Sequence, residues 1–247
     1  MGESAIQSEG NMSYIITSEG AVIIDWNNQL PDVLDATLYV PPTLGGIPVV
    51  GIGFDAFDTC NEGPSTQFQL ILPEGITFLE KGAFQCCNQA TVISLPSTLE
   101  TIPEGSFIHV KAEIVFPNGN PYFTAENGFL IDKVTSSLIL LPPANKDENI
   151  IIDGSFVKKV GDRFFSNAPH IKTVVFGEGV EELGGSAFKQ GNNGPMSLEF
   201  VLLPSTLKKI GAEAFALCSN LQQYICKAVT PPEINGNAVF RMANGAD

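Results

Sequence analysis

The sequence repeats itself at short intervals, and this repetition limits the folds that the chain can adopt. Four segments share a strand-like apolar run, a Pro or Gly, and a Phe eleven residues after it; they begin at Leu72, Leu95, Phe176 and Leu203. Taking that Phe as an anchor gives Phe57, Phe84, Phe107, Phe165, Phe188, Phe215 and, more loosely, Phe240. Successive anchors are separated by 27, 23, 58, 23, 27 and 25 residues. This period predicts a solenoid with one strand, one turn and one short helix in each unit.

Within a unit the hydrophobic pattern changes from a period of two residues to a helix-like spacing. The runs ATVISLP and LEFVLLP alternate like strands, whereas LKKIGAEAF and LETIPEGSF end on the anchor Phe in a helix-like pattern. The Pro or Gly between the two parts ends the strand. A unit of this kind cannot bury its own apolar face, so we expect the units to stack on one another.

The repeated pattern, I-x-L-P-S-T-L-x-x-I-G-x-x-A-F-x-x-C-x-x-L, resembles the BspA-type leucine-rich repeat of bacterial cell-surface proteins. Three other stretches match habits of that family: GGIPVVGIGFDAF at 45–57, NPYFTAENGFLIDKVTSSLILLPP at 120–143 and AVTPPEINGNAVF at 228–240. The resemblance extends from Thr37 to Phe240. It implies an α/β leucine-rich-repeat solenoid, curved and exposed outside the cell, with repeats of about 23 residues. It also implies ligand binding or adhesion, and no catalytic residues.

The repeat runs through the chain without a Ser/Gly-rich linker, so we expect residues 1–247 to form a single domain with repeats at 37–119 and 151–240. Residues 11–36 contain YIITSEGAVIID, which predicts a hairpin that caps the first unit. Residues 120–150 contain FLID and LILL on either side of the turn-like KVTSS. This pattern predicts a second β-hairpin, inserted into the solenoid.

Charge and hydropathy exclude several classes of partner. The net charge of −14, from 13 basic and 27 acidic residues, argues against nucleic acid and anionic membranes, because both need a positive patch. The sequence lacks an apolar segment as long as a transmembrane helix, so we expect no membrane insertion. The first ten residues have neither the charged nor the apolar region of a signal peptide. On the family resemblance, we expect a secreted or cell-surface protein whose signal segment is not part of this sequence.

The five cysteines are interpreted through the repeat. Cys60, Cys87 and Cys218 each follow an anchor Phe by three residues, at a small and buried position. Cys226 falls on a core position of a strand, whereas Cys86 has no such place in the pattern. Their spacing fits neither a metal site nor a disulfide framework, which favours free structural thiols and no metal.

The sequence contains no recognisable catalytic motif. His109 and His170 each lie just after an anchor Phe, where a polar or cationic group is ordinary at the end of a predicted helix. There is no G-x-S-x-G elbow, no Gly-rich loop that opens a phosphate-binding helix, and no obvious pair of carboxylates. We therefore expect a non-enzymatic protein without a cofactor.

The strands supply the candidate binding site. Residues one and three positions before the strand-ending Pro, or its equivalent, are expected to face the core, because strand side chains alternate between faces. The residue two positions before it then faces outward, and in five of six units it is a branched aliphatic: Ile71, Val115, Val175, Leu202 and Ile225, with Ser94 as the exception. Four positions before it, Val92 and Phe200 widen this apolar face. A contiguous exposed apolar patch predicts an interface formed by these seven residues.

Three interpretations of this face stay open. It can bind a partner protein or a carbohydrate-bearing ligand, it can pair two copies of the chain, or it can reflect the preference of branched residues for a half-exposed sheet. Aliphatic side chains suit a protein surface better than sugar, because sugar sites favour aromatic platforms and only Phe200 could serve as one. We therefore expect an extracellular protein or glycoprotein ligand. A homodimer through the sheet face and a structural spacer without a ligand are the alternatives.

Overall fold

The computed structural model divides the chain into two compact units, Met1–Ala125 and Glu126–Asp247. The structure describes residues 5–27, 36–58, 66–107, 110–126, 129–141, 146–165, 168–189, 197–236 and 239. Regular secondary structure in these residues is β-strand throughout, joined by turns. Each unit is a β-solenoid, which confirms the predicted repeat architecture. The prediction that residues 1–247 form a single domain stays a prediction.

The first unit contains one mixed sheet, which begins with an antiparallel hairpin, and one parallel sheet. Its described residues form β1 (Gln7–Glu9), β2 (Met12–Ile16), β3 (Ala21–Trp26), β4 (Ala36–Tyr39), β5 (Thr43–Leu44), β6 (Ile47–Ile52), β7 (Phe68–Ile71), β8 (Phe78–Leu79), β9 (Ala90–Ser94) and β10 (Glu113–Val115). The next strand, β11 (Phe123–Glu126), spans the boundary between the two units in the sequence. One sheet has the order β1-β2-β3-β6-β5, with β8 also paired to β6. The other has the order β10-β9-β7-β4 and is parallel throughout.

The predicted N-terminal hairpin is confirmed. Met12 pairs with Trp26 and Ile16 with Ala21 across β2 and β3. The turn between them is closed by the Thr17 N–H, which donates to the Gly20 carbonyl over 2.8 Å. Because β3 then pairs in parallel with β6, the hairpin covers the first edge of that sheet. Residues 28–35, at the end of the predicted hairpin segment, lie outside the described part of the chain.

The second unit repeats this layout. Its strands are β12 (Phe129–Asp132), β13 (Ser137–Leu140), β14 (Asn149–Ile152), β15 (Lys159–Val160), β16 (Thr173–Phe176), β17 (Glu182–Leu183), β18 (Phe200–Leu203), β19 (Lys209–Gly211), β20 (Gln223–Cys226) and β21 (Glu233–Asn235). One parallel sheet has the order β14-β16-β18-β20. In the other, β13, β15, β17, β19 and β21 follow one another in parallel.

The second predicted hairpin is also confirmed. FLID and LILL pair as β12 and β13, with Leu130 opposite Leu140 and Asp132 opposite Ser137. The Asp132 carboxylate closes the turn by accepting the backbone N–H groups of Val134 and Thr135 at 2.8 and 2.9 Å. Since β13 then pairs in parallel with β15, this hairpin begins the second unit as β2 and β3 begin the first.

The predicted leucine-rich-repeat solenoid deviates from its α/β description in one respect, because the described residues form strands and turns but no helix. The segment LKKIGAEAF forms β19 and a turn. Two positions before the anchor Phe, the backbone has a positive φ of 55° at Arg163, 52° at Ser186 and 55° at Glu213. A residue in this left-handed region ends any right-handed helical turn. The helix-like spacing nevertheless identified the buried residues correctly, because Leu207, Ile210 and Phe215 also face the interior when the segment forms a strand and a turn.

The anchor phenylalanines form a stacked column inside each unit. In the first unit, the rings of Phe57 and Phe84 are 5.5 Å apart and those of Phe84 and Phe107 are 5.4 Å apart. In the second unit, the distances are 4.4 Å between Phe165 and Phe188 and 5.1 Å between Phe188 and Phe215. All six rings are buried, and burial of each contributes about 1.5–3 kcal/mol to folding. Phe240, the loosest of the predicted anchors, lies outside the described residues.

Polar side chains at the strand ends fix one turn of the solenoid against the next. The Glu74 carboxylate accepts the Ser97 hydroxyl at 2.9 Å and the Ser97 N–H at 3.2 Å. In the second unit, the Glu178 carboxylate accepts the Ser205 hydroxyl at 2.7 Å. These bonds join the P-E-G or G-E-G segment of one turn to the P-S-T segment of the next, so they hold the stacking register.

The cysteines divide into two groups. Cys87, Cys218 and Cys226 are free, as predicted, and the first two are buried. Cys86 is disulfide-bonded, so the prediction of free thiols is wrong for this residue. Cys86 lies on a turn with a φ of 55°, directly before the buried Cys87. The repeat pattern could not indicate this disulfide, because Cys86 occupies no position that recurs in the other repeats. Cys60 lies outside the described residues.

Candidate functional site

A continuous row of four aliphatic side chains crosses the outward face of the second unit. Ile151, Val175, Leu202 and Ile225 lie side by side on β14, β16, β18 and β20, in parallel register; we call them the outer aliphatic row. Ile151 is 73% exposed and Ile225 is 37% exposed, and the two central residues are half-buried. With strands about 4.8 Å apart, the row is about 14 Å long.

The outward direction of this row follows from the strand alternation and the packing beneath it. The residues one position earlier on the same strands, Ile150, Val174 and Val201, are buried in the hydrophobic core of the second unit. They belong to the same core as the anchor rings. Since neighbouring side chains on a strand point to opposite faces, burying these residues leaves the outer aliphatic row in contact with solvent.

Phe200 lies on the same outward face, in the neighbouring row. That row contains Asn149, Thr173, Phe200 and Gln223, in register on the same four strands. Phe200 is half-buried and is the one aromatic among polar neighbours. It therefore widens the apolar surface next to Leu202, its neighbour two positions further along β18.

The corresponding row of the first unit is interrupted by a polar side chain. Its corresponding row contains Tyr39, Ile71, Ser94 and Val115, so Ser94 separates the two predicted aliphatic residues. Val92 lies in the neighbouring row, between Gln69 and Glu113. Of the seven predicted site residues, the structure brings together Val175, Phe200, Leu202 and Ile225. It leaves Ile71, Val92 and Val115 separated by polar side chains.

Two outward residues were missed by the sequence prediction. Tyr39, 68% exposed, pairs with Ile71, and it lies two positions before Pro41, so the same counting rule could have found it. Ile151 was harder to find. Counting back from Gly154, which lies eleven residues before Phe165, points to Ile152, but Ile152 is buried and pairs with Phe176. One additional residue between the strand and its turn shifts the alternation and hides Ile151.

Charged groups lie at both ends of the strands that carry the outer aliphatic row. At the start, the Lys172 ammonium lies 2.8 Å from the Glu148 carboxylate, and this hydrogen bond raises the pKa of Lys172. At the end, the hydrogen bond from the Ser205 hydroxyl is the main cause that lowers the pKa of Glu178, and the nearby Lys227 adds to it. The arrangement is that of a small apolar surface with a polar rim, which is typical of protein interfaces.

The two units differ strongly in charge. The first 125 residues contain two of the 13 basic residues and 14 of the 27 acidic residues. The remaining residues contain 11 basic and 13 acidic side chains. The outer aliphatic row therefore lies on the unit that is nearly neutral, where association with a partner meets little long-range repulsion.

A groove of about 330 Å³ lies on the other sheet of the second unit. Gly184 and Gly211 form part of it, with Asp162, Glu182 and Lys209 beside them. The Asp162 carboxylate accepts the Gly185 N–H at 2.6 Å, and Lys209 lies 3.3 Å from Glu182, so these charges are already engaged within the protein. The groove is explained by the close backbone stacking that these glycines permit.

In the described residues, no group of three His, Cys, Asp or Glu side chains could hold a metal ion. Burial raises the pKa of the Cys87 and Cys218 thiols to about 12, so neither is a thiolate near neutral pH. His109 lies outside the described part. In the same ranges, no helix has the length and apolar character needed to cross a bilayer.

Comparison with known proteins identifies the repeat. A family model described as the BspA type leucine rich repeat region matches the chain in six copies, over residues 47–126 and 145–241. No curated protein sequence matches the chain. A leucine-rich repeat protein from Eubacterium ventriosum is similar in structure, with a TM-score of 0.55 and 18% identity, over 92% of this chain and 73% of that chain. This likeness supports the solenoid fold.

Two further solved structures show weaker likeness. A leucine rich cell surface protein from Faecalibacterium prausnitzii has a TM-score of 0.48 and 15% identity, over 89% of this chain and 82% of that chain. The pneumococcal vaccine antigen PcpA has a TM-score of 0.49 and 17% identity, over 91% of this chain and 78% of that chain.

Proposed function

The chain belongs to the BspA-type leucine-rich repeat family, and from this we propose that it is an extracellular protein-binding or adhesion module whose second unit binds a protein ligand through the outer aliphatic row. Family membership supports a protein-interaction or adhesion role in general terms. The ligand class and the location of the site are our proposal.

The observation that carries the proposal is the unbroken register of Ile151, Val175, Leu202 and Ile225. These four aliphatic side chains lie on successive strands, two of them exposed and two half-buried, and their exposed part is apolar surface that water solvates unfavourably. Covering them with the apolar surface of a partner removes that cost. Phe200 adds an aromatic side chain, a type that is enriched at protein interfaces.

The cellular location is also proposed. Members of this family are surface-associated bacterial proteins. The disulfide at Cys86 supports a location outside the cytoplasm, because disulfides persist in oxidising compartments and are rare where thiols are kept reduced. We therefore infer that the chain works at the cell surface or as a secreted protein.

The family's proteins are typically binding or structural modules rather than enzymes. The two alternatives to ligand binding are a homodimer through the sheet face and a spacer without a specific ligand. The homodimer would cover the same row, so it differs from ligand binding only in what contacts Leu202. The spacer would leave the row uncovered.

A binding screen tests the proposal. The purified protein is passed over immobilised extracellular-matrix proteins and mucin glycans, and its mass is measured by light scattering at the same concentrations. We expect a protein ligand to bind and the free protein to be monomeric. A dimer that becomes monomeric on Leu202→Lys would support self-association instead. Binding to glycans alone would contradict the proposed ligand class.

A further inference from the structure

The outward face of the first unit's mixed sheet contains a second apolar surface. Gly51 pairs in parallel with Phe78, and the residues after them, Ile52 and Leu79, pair in the same register and are buried. Because side chains alternate along a strand, Gly51 and Phe78 lie on the outward face. A Cβ on Gly51 would clash with the ring of Phe78, so this half-buried ring rests directly against the glycine.

Two further apolar side chains extend this surface. Ile24, half-buried on β3, lies beside Gly53, where an added Cβ would be 3.3 Å from the Ile24 Cγ2 atom. Phe54 follows Gly53 and is 61% exposed, and its ring lies 3.5 Å from where a Cβ on Gly82 would be. We call Ile24, Phe54 and Phe78 the Phe54 surface. Exposed apolar side chains grouped in this way are typical of interaction sites.

Acidic groups lie beside the exposed ring. Glu80 is exposed, lies two positions after Phe78 and therefore shares its face, and its carboxylate accepts the Phe54 N–H at 2.8 Å. Asp55 follows Phe54 directly. Burial and, after it, repulsion by Asp58 raise the pKa of Asp55, so anionic groups are crowded next to the ring.

The charge of the whole unit acts in the same direction. Residues 1–125 contain two basic side chains and 14 acidic ones. One of the two, Lys81, follows Glu80 directly, and the carboxylates of Asp55, Asp58 and Glu80 outnumber it at the Phe54 surface. A positively charged partner is therefore attracted to this unit over a distance and finds apolar surface with an acidic rim when it arrives.

We propose that the Phe54 surface binds a basic amphipathic segment of another protein, whose apolar side chains cover Phe54 and Phe78 and whose Lys or Arg side chains lie beside Asp55 and Glu80. The aliphatic part of a Lys or Arg packs on an aromatic ring while its cationic end contacts a carboxylate. The Phe54 surface belongs to the first unit, so this proposal does not depend on the function proposed for the outer aliphatic row.

A second copy of the chain fits the Phe54 surface poorly. The first unit of another copy has the same acidic excess and is repelled. In the second unit, Lys172, Lys208 and Lys209 each lie within 3.3 Å of a carboxylate of their own chain. A cationic segment of a different protein is therefore the occupant that the charges favour.

The test uses three fluorescein-labelled synthetic peptides, which are titrated with the whole protein and followed by anisotropy. LKKLLKKLLKKL is basic and amphipathic, SKKSSKKSSKKS has the same charge without the apolar side chains, and LEELLEELLEEL reverses the charge. We expect LKKLLKKLLKKL to bind about tenfold more tightly than either of the others. Its binding should weaken as the salt concentration is raised, because exposed charges are screened.

Two variants locate the peptide on the protein. With the fold verified by circular dichroism, Phe54→Ser should weaken the binding of LKKLLKKLLKKL by about fivefold or more, and Glu80→Gln by about two- to fivefold. The matched controls are Phe156→Ser, at a Phe of the second unit that is 51% exposed, and Glu19→Gln, in the exposed turn of the N-terminal hairpin. Neither control should change the affinity.

Four results would overturn the proposal. The first is no binding of LKKLLKKLLKKL at up to about 1 mM, the affinity of a weak complex. The second is equal binding of SKKSSKKSSKKS, which would show a general attraction of charge. The third is equal weakening by Phe54→Ser and Phe156→Ser. The fourth comes from light scattering without peptide: a dimer that becomes monomeric on Phe54→Ser would assign the surface to a second copy.

Discussion

Leu202 lies directly beside Val175 on the outward face of the second unit, while Val201 and Val174, one position earlier on the same strands, pair in the same register inside the core. The two pairs show how one alternating sequence supplies both the core and the candidate binding surface. Replacing an outward residue can therefore change binding with little effect on folding, whereas the inward neighbour is required for the core.

Asn120 should be a main source of stability in the first unit. It is buried, and its side-chain NH₂ lies 3.1 Å from the Pro96 carbonyl and 2.8 Å from the Leu99 carbonyl. Its Oδ1 accepts the N–H groups of Tyr122 and Phe123. Asn120→Ala leaves these buried groups without partners and should lower the free energy of unfolding by about 2–3 kcal/mol in urea titrations.

The matched control for this substitution is Asn118→Ala, two residues earlier. Asn118 is exposed and donates to Glu74. Its removal should cost less than about 1 kcal/mol. Equal losses for the two variants would show that Asn120 does not have the bonding role assigned to it.

Stability should fall in acid because of Glu74 and Glu178. The hydrogen bond from Asn118 is the main cause that lowers the pKa of Glu74, and that from Ser205 has this effect on Glu178. Since the folded pKa lies below that of the unfolded chain, the stabilisation is complete above about pH 4.3 and is lost as the pH falls through the folded pKa.

The pH effect can be measured as the melting temperature between pH 6 and pH 3. The melting temperature of the unchanged protein should drop through this range, and the Glu74→Gln variant should show a shallower drop. An unchanged pH dependence in that variant would rule out Glu74 as a contributor.

Two adjacent glycines should respond differently to alanine. A Cβ on Gly184 would lie 2.5 Å from the carbonyl carbon of Gly161 and 2.6 Å from the backbone N of Asp162, so the stacked turns would have to separate. A Cβ on Gly185 would meet nothing closer than 3.4 Å. Gly184→Ala should cost about 2 kcal/mol or more, and Gly185→Ala about 0.5 kcal/mol or less, in chemical denaturation. Similar costs for both would contradict the close stacking.

The free cysteines should differ in reactivity. Cys87 and Cys218 are buried thiols with a pKa raised to about 12, whereas Cys226 is partly exposed on β20. Iodoacetamide at pH 8 should therefore label Cys226 first in the native protein, and mass spectrometry of peptides identifies the labelled site. In the Cys226→Ser variant, Cys87 and Cys218 should take up almost no label before unfolding. Early labelling of Cys87 would show that its part of the core opens readily.

The stacked architecture could be predicted from the sequence because the anchor Phe recurs every 23–27 residues on either side of one 58-residue gap. Phe84, Phe188 and Phe215 are buried as the repeat requires, and the two hairpins pair as their turn residues indicate. The spacing of apolar residues could not exclude the predicted short helices. A short strand followed by a turn buries the same residues as one helical turn, and the positive φ at Ser186 or Glu213 has no distinctive sequence signal.

The candidate site was predictable where the strand-to-turn spacing is constant and was missed where it changes. Val175 and Leu202 precede a Gly and a Pro at the usual distance, so counting placed them correctly. Ile151 is separated from its turn by one additional residue, so counting pointed to its buried neighbour. The separation of Ile71 from Val115 by Ser94 was visible in the sequence, but their register became clear only from the strand pairing.

The most direct test of the proposed function compares Leu202→Lys with Val92→Lys in binding to the protein ligand found by the screen. Both changes place a lysine at an outward, half-buried aliphatic position, but Val92 belongs to the first unit, where it lies between Gln69 and Glu113, and is not a member of the outer aliphatic row. With the fold of each variant verified by circular dichroism, Leu202→Lys should weaken binding by about tenfold or more, and Val92→Lys should leave it nearly unchanged. Unchanged binding by Leu202→Lys would contradict the assignment of the outer aliphatic row as the binding surface.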